Sequence, residues 1–317
     1  MALVAGAAGI TVAVLLLRSQ PGPVSSGGAA AIPPATATTT IEGGGIPTPT
    51  SPGYPSPPPG AVVLAREAGT RALALAVVPD SPTSLVRVSV LDGQGAGKTG
   101  LDVAIRAGGK TTELPGCAPG CYQAHVESST LSGRVAVVLD NASFEFTLPD
   151  SLDLEDGTAT MARATSVWRK LKSLVWHERL ASSATDALYT VYKVVAPDRL
   201  AYTIRGESSA IIIGTKRWDR TQGAARWVES PQLPPIHQPA PFWASVSDAR
   251  VLGSGSAGGR SVWIVSFFDG LTPAWFEAEV EKSTGRTIVL EMIAVAHFMH
   301  HVYGPFDAPI QVTPPAA

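Results

Sequence analysis

The sequence predicts a mainly β chain with an α+β second module: an antiparallel β-sandwich, then a curved antiparallel sheet packed on one helix. Three observations predict it. Apolar and polar residues alternate with period two between 61 and 150, with turn signals about every ten residues. Residues 151–317 begin with one amphipathic segment and continue as a long meander of strands. Charged residues make up only 16% of the 317, while Gly (31) and Pro (27) are abundant; about 25% charged is usual for a soluble protein.

Residues 2–17, ALVAGAAGITVAVLLL, carry no charge, and Arg18 ends the run. A spanning helix wants about 20 apolar residues, and a secretory signal wants a basic start. The run is read as a membrane anchor spanning 1–18. A cleaved signal, with GGAAA at 27–31 as the processing region, is the alternative. The last span of a longer membrane protein, started late, is another. Residues 19–60 are Pro, Gly, Ser, Thr and Ala almost throughout, too poor in apolar side chains to fold, and form a semi-rigid linker. An anchor followed by such a stalk predicts folded domains on the extracytoplasmic side of a cell membrane.

The first folded module is expected over 61–150. Its clearest strands are ALALAVV (72–78), LVRVSVLD (85–92), LDVAIRA (101–107), YQAHV (122–126), RVAVVLD (134–140) and FEFTLP (144–149). Val86, Val88 and Val90 point one way, with Arg87 and Ser89 opposite. GQGAGKTG (93–100) imitates a phosphate loop, but Asp92 stands where the motif needs its first Gly, and no strand feeds a helix there. It is read as a flexible hairpin loop with an exposed Lys98. NAS at 141–143 is a glycosylation sequon.

The only two cysteines, Cys117 and Cys121, flank a Pro-Gly turn. Zinc would need four ligands. In an exported protein the pair reads as a short disulfide contributing about 2 kcal/mol. A thiolate pair for a soft metal and two free thiols are the other readings.

The second module, 151–317, opens with ATSVWRKLKSLVWHERLAS (164–182), predicted as a helix. Its face carries Val167, Leu171, Leu174, Val175 and Glu178, and His177 lies off it in solvent. The strands that follow include ALYTVYKVVA, RLAYTIRGE, SAIIIGTKRWDR, ARWVES, DARVLGSG, RSVWIVSFF, AWFEAEVEK and RTIVLEMIAVAHFMHHVY.

Several of these stretches carry a resemblance. PDRLAYTI (197–204), IIIGTKRWDR (211–220), ARWVES (225–230) and FDAPIQVTPP (306–315) make the second module similar to the lipoprotein-carrier superfamily of LolA/LppX-type domains. In that family the last of these is the final strand. The resemblance implies a half-barrel whose apolar concave face holds acyl chains. VRVSVLDGQGAGKTGLDVAI, GCYQAHV and FTLPD make the first module resemble the Ig-like sandwich of YtkA-like extracytoplasmic proteins. The whole order, with the ending PAWFEAEVEKSTGRTIVLEMIAVAHFMHHVYGPF, resembles the C-terminal part of bacterial copper-resistance D-type membrane proteins. That resemblance implies copper homeostasis and a multi-span membrane partner upstream; at most one span is present here.

Residues 296–301, AHFMHH, supply the candidate metal site. On a strand, His297, Met299 and His301 share a face, while Phe298 and His300 point away. Imidazole nitrogen with thioether sulfur suits copper, particularly Cu(I). Packing without metal is the competing expectation. Trp218, Trp227, Trp243, Trp263 and Trp275 are candidate linings for a hydrophobe site. SPQLPPIHQPAPFW (230–243) is long and Pro-rich, a candidate lid with an exposed His237. No nucleophile elbow, Rossmann fingerprint or carboxylate cluster occurs, so no enzyme is expected. The formal charge of −2 argues against a nucleic-acid partner. The expected function is a membrane-tethered accessory to copper resistance. The alternatives are a lipid or hydrophobe carrier or sensor, and a non-catalytic interaction module.

Overall fold

The computed structural model describes residues 56–183 and 185–316. The apolar run at 2–17 and nearly all of the linker lie outside these residues. Among the described residues no helix is long and apolar enough to cross a membrane.

The first module contains β1 (Val62–Ala68), β2 (Arg71–Val78), β3 (Thr83–Leu91), β4 (Val103–Ala107), β5 (Lys110–Glu113), β6 (Gly116–Ala118), β7 (Cys121–Glu127), β8 (Gly133–Leu139) and β9 (Ala142–Leu148). They form two antiparallel sheets, ordered β1-β2-β3-β7-β6 and β5-β4-β8-β9. Val86, Val88 and Val90 of one sheet share a core with Val103, Ile105, Val135 and Val137 of the other. Each such side chain stabilises the fold by about 1.5–3 kcal/mol on full burial. At the β8–β9 turn Asp140 and Asn141 both have positive φ (47° and 71°), the conformation of a two-residue hairpin that Asn and Asp tolerate. The sequon asparagine therefore sits exposed on a tight turn.

Cys117 and Cys121 form a disulfide between β6 and β7, with Cα atoms 5.2 Å apart. The 93–100 stretch is not a flexible hairpin loop. It crosses from β3 in one sheet to β4 in the other. Asp92 accepts hydrogen bonds from the Gln94 and Ala96 amides, both at 2.9 Å, and pairs with Lys98 at 3.2 Å. Gly97 lies so close to the Pro119 backbone that a Cβ there would sit 2.3 Å from the carbonyl oxygen.

The second module contains α1 (Thr158–Trp168), then β10 (Ser173–Ala181), β11 (Leu188–Val195), β12 (Arg199–Ile204), β13 (Ser208–Ile213), β14 (Lys216–Thr221), β15 (Val228–Pro231), β16 (Ser247–Ala257), β17 (Arg260–Asp269), β18 (Ala274–Glu281), β19 (Thr287–Ala294) and β20 (His297–Phe306). The predicted helix over 164–182 is corrected: the helix ends at Trp168, a turn follows over 169–172, and β10 begins at Ser173. From 174 onward Leu174, Trp176, Glu178 and Leu180 are buried while His177 is exposed, which is period two. The stripe of Val167, Leu171, Leu174, Val175 and Glu178 thus does not exist as one face. The expected last strand at 306–315 is also corrected. β20 ends at Phe306, and the Pro-rich remainder, with fewer amide donors for a ladder, makes isolated bonds such as Arg199 to the Val312 carbonyl at 2.9 Å.

The eleven strands make one open antiparallel sheet, ordered β15-β14-β13-β12-β11-β10-β20-β19-β18-β17-β16. Ile212 of β13 and Val251 of β16 belong to one core with Met161, Ala164 and Trp168 of α1. Laid flat, those two strands would stand roughly 38 Å apart at about 4.8 Å per step. Sharing a core around an 11-residue helix therefore requires the sheet to curl. The result is a half-barrel with α1 in its concavity.

The convex face is covered by the sandwich. Phe268, Trp275 and Phe298 pack against Ala61, Val63, Ala72, Ala74, Ala76 and Leu91. Polar ties flank this seam: the Gly60 amide donates to Asp248 at 2.7 Å, and Arg179 of β10 faces Glu67 of β1 at 3.7 Å.

Candidate binding face of the half-barrel

Strand register builds the concave face in rows that cross the sheet. Tyr303, Trp176, Tyr192 and Tyr202 are successive partners on β20, β10, β11 and β12. Trp176 and Tyr192 stack with centroids 4.4 Å apart, and Tyr192 meets Tyr202 at 5.6 Å. The next row runs Leu290, His301, Glu178 and Thr190. Alternation along each strand makes these rows face inward, so aromatic and ionisable groups lie side by side.

Within these rows is a buried polar chain. Glu178 Oε2 lies 2.6 Å from His301 Nε2, and His301 Nδ1 lies 2.7 Å from Tyr303 Oη. Tyr192 donates its hydroxyl to Glu178 Oε1 at 3.1 Å. Burial, then the Glu178 charge, pushes both phenols well above the usual tyrosine range. They stay protonated and serve as hydrogen-bonding groups. Three strands from Tyr192, on β14, Arg217 donates to Tyr202 Oη at 2.8 Å and to both oxygens of Asp219 at 2.7 Å.

The segment 232–246, between β15 and β16, has no strand or helix and lies on this face. Ile236, Phe242, Trp243 and Val246 all pack into the concave core. Phe242 sits edge-on to His301 at 4.5 Å and to Trp176 at 5.9 Å, so it caps the polar chain. Trp243 meets Trp168 at 5.7 Å and donates to Thr165 Oγ1 at 2.8 Å. Asp269 pins the end of the segment, accepting from the Ala244 amide at 2.6 Å and the Ser245 hydroxyl at 2.6 Å. Burial raises the Asp269 pKa, but these bonds outweigh it and hold the carboxyl below its usual range. The expected lid over 230–243 thus corresponds to a segment seated on the concave face, and its His237 is exposed.

Several buried polar atoms of this module have no hydrogen-bond partner: Trp168 Nε1, Trp176 Nε1, Arg217 Nη1 and both ring nitrogens of His297. His297 is 1% exposed. Burial pushes its pKa down to about 4, against an upward pull from Glu178 and a further downward push from His301. The ring is therefore neutral at neutral pH. Such orphan groups are rare in folded proteins.

The metal candidates are distributed as follows. His297, Met299 and His301 are all buried on the inner side of β20, with Phe298 on the seam side and His300 half-exposed. His301 has both nitrogens engaged, by Glu178 and Tyr303. His297 and His301 stand four residues apart, roughly 13 Å along a strand, too far to share an ion. Among the described residues no three His, Cys, Asp or Glu side chains are grouped to hold a metal.

The five candidate tryptophans do not come together. Trp243 lies in the concave core and Trp263 packs at its margin. Trp275 lies in the inter-module seam. Trp218 donates to Glu229 at 3.0 Å, and half-buried Trp227 lies under Arg220 at 4.5 Å. The aromatic residues that do form the face, Trp168, Trp176, Tyr192, Tyr202 and Tyr303, were not among the candidates. Period two over 174–180 is the signal that could have found Trp176 and Glu178.

Neither family models nor curated proteins show a match to this sequence. Solved structures show a likeness of fold over about half of the chain. LprF from Mycobacterium bovis aligns at 7% identity with a TM-score of 0.39, covering 50% of this chain and 96% of that one. The Mycobacterium tuberculosis lipoprotein LppX aligns at 10% identity and 0.39, covering 49% and 97%. A LolA superfamily protein from Nitrosomonas europaea aligns at 9% identity and 0.23, covering 48% and 93%. The copper-resistance resemblance finds no support among these three.

Proposed function

We propose that the half-barrel is a non-catalytic binding module for a hydrophobic or amphiphilic ligand, closed by the 232–246 segment. One observation carries this reading. A segment without regular structure supplies Ile236, Phe242 and Trp243 to the concave core, in the position a ligand would take. Long irregular segments in compact domains are uncommon and usually functional. Lifting this one would bare an aromatic wall with a polar chain at its floor, the usual make-up of a small-molecule site. An extracytoplasmic setting is supported by the Cys117–Cys121 disulfide, since such bonds persist in oxidising compartments. Tethering through residues 2–17 belongs to the same reading.

The test uses the full chain purified from a lipid-containing host. Mass spectrometry of organic extracts is expected to find a stoichiometric apolar molecule, or a fluorescent fatty acid is expected to bind saturably. Phe242→Ala with Trp243→Ala is expected to raise that affinity, because the competing side chains are gone. An empty protein that also fails to bind the probe would sink the proposal.

A further inference from the structure

The hairpin β19–β20 sets three soft donors together. Met292 of β19 is the direct register partner of Met299 of β20, and Ala294 is the partner of His297. Residues facing each other across an antiparallel pair have Cβ atoms about 4.5–5.5 Å apart. His297 is two residues from Met299 on the same strand face, about 7 Å along it. Met292 and Met299 both lie in the concave core, and His297, 1% exposed, is buried two residues along β20 from Met299. We propose that Met292, Met299 and His297 form a buried Cu(I) site.

Three arguments carry it. The donor set is two thioethers and an imidazole, all uncharged and soft, which favours Cu(I) over the harder divalent ions. An imidazole in an apolar core with neither nitrogen bonded is costly, whereas an apolar residue of similar size would fit there without that cost. A nitrogen lone pair held away from every protein donor is what a metal ligand requires. Third, a monovalent ion in this place has a carboxyl group within electrostatic reach, Glu178. His301 drops out of the site, since both of its nitrogens are engaged elsewhere. Met292 takes its place, a residue that no reading of AHFMHH alone would include.

The backbone agrees. Ala296, in the two-residue turn before His297, has φ +50°, a left-handed conformation unfavourable for any residue with a Cβ. Keeping a non-glycine residue there costs stability at the point where β20 starts, on His297 itself.

The experiment is an anaerobic titration of the full chain with Cu(I), in competition with bicinchoninate and with ascorbate as reductant, followed by X-ray absorption. One equivalent is expected, with sulfur and nitrogen neighbours. Met292→Leu with Met299→Leu conserves volume and is expected to weaken binding at least 100-fold; His297→Leu should do likewise. His300→Ala, on the outward side, should not change it. Cys117→Ser with Cys121→Ser should also leave it unchanged. No retained Cu(I), an absorption spectrum with only nitrogen and oxygen neighbours, or loss of binding in the cysteine variant would overturn the site. So would unaltered affinity in a folded leucine variant. The absorption spectrum of the unmodified protein decides the matter even if the variants fold poorly. None of these outcomes depends on whether an apolar ligand binds.

Discussion

In the sandwich, Leu73, Leu75, Val86, Val88, Ile105 and Val137 meet across two sheets with no ionisable group among them. In the half-barrel, Glu178, His297, His301 and Arg217 are buried amid aromatic rings. Among the described residues, all but one of the buried side-chain atoms without a hydrogen-bond partner belong to the second module; the exception, Glu67 Oε2, faces Arg179 at 3.7 Å. Both modules fold by the same antiparallel rules, yet one core is mostly aliphatic, and the hydroxyl of its Tyr122 is satisfied by the Lys98 carbonyl. Polar groups in a core lower stability unless each is satisfied. Their concentration in one module teaches where to look for function, and it yields predictions that the other module does not share.

The largest effect is expected from Glu178→Ala. It strands His301 Nε2 and the Tyr192 hydroxyl in an apolar interior, at a cost of about 3–5 kcal/mol in urea unfolding. Replacing the pair together, Glu178→Leu with His301→Leu, should recover most of that loss. A cost below about 1 kcal/mol for the single variant would erase the contrast between the cores.

Next comes acid, acting on the metal-free protein. The His297 imidazole titrates at about 4 in the fold, against about 6.5 in an unfolded chain. Between those values the unfolded chain takes up a proton that the folded one refuses. Stability therefore falls as pH drops below about 6.5, and the loss, about 3 kcal/mol, is complete below about pH 4. Glu277 works in the other direction. Burial, then Glu291 and Glu279, raise its pKa to about 7, so its contribution is present at low pH and lost as pH rises toward 7. The two should partly cancel in the wild type. Glu277→Gln is expected to steepen the acid loss, and His297→Leu to remove it, when midpoints are followed by circular dichroism from pH 4 to 7.

A smaller effect falls in the sandwich. Cys117→Ala with Cys121→Ala should cost about 2 kcal/mol, because the bridge closes only a short loop. Thermal melting would show it, and the response to pH should stay as in the wild type. The smallest is Ala296→Gly, which relieves a positive φ and should raise stability by up to about 1 kcal/mol. If the strained turn helps to place His297, that gain should come with weaker Cu(I) binding.

What could be read from the sequence follows from how each strand is buried. β3, β4 and β8 each carry an inward apolar row and an outward side with polar or small residues, so their period was visible. β1 begins with three buried residues in succession because the seam covers its outer side, and shows no alternation there. β5 and β6 are short and mostly exposed. In β10, Leu174 and Glu178, four residues apart, share a face on a helix and on a strand alike, and the preceding α1 tipped the choice. The inner row of β20 was legible, His297, Met299 and His301 together. Its partners were not, because register across 123 residues, as between Glu178 and His301, leaves no trace in local pattern. Met292 was hidden for a different reason: RTIVLEMIAVAHFMHHVY reads as one long strand, whereas it folds back at Val295–Ala296 into the hairpin β19–β20, which sets Met292 opposite Met299.

The seam between the modules has a mechanical consequence. The described chain begins at Ser56, and within a few residues Gly60 is bonded to both Asp248 and Arg250 of β16. The leading segment therefore joins the molecule at the junction and not at the far end of the sandwich. A pull transmitted through residue 60 would be borne at once by β1 and β16, and the interlocked alanines and aromatics would turn both modules as one. The opening of the half-barrel would then keep a set attitude toward whatever holds the leading segment. Separating the modules would bare Phe268, Trp275 and Phe298 to water, so each half would be prone to self-association.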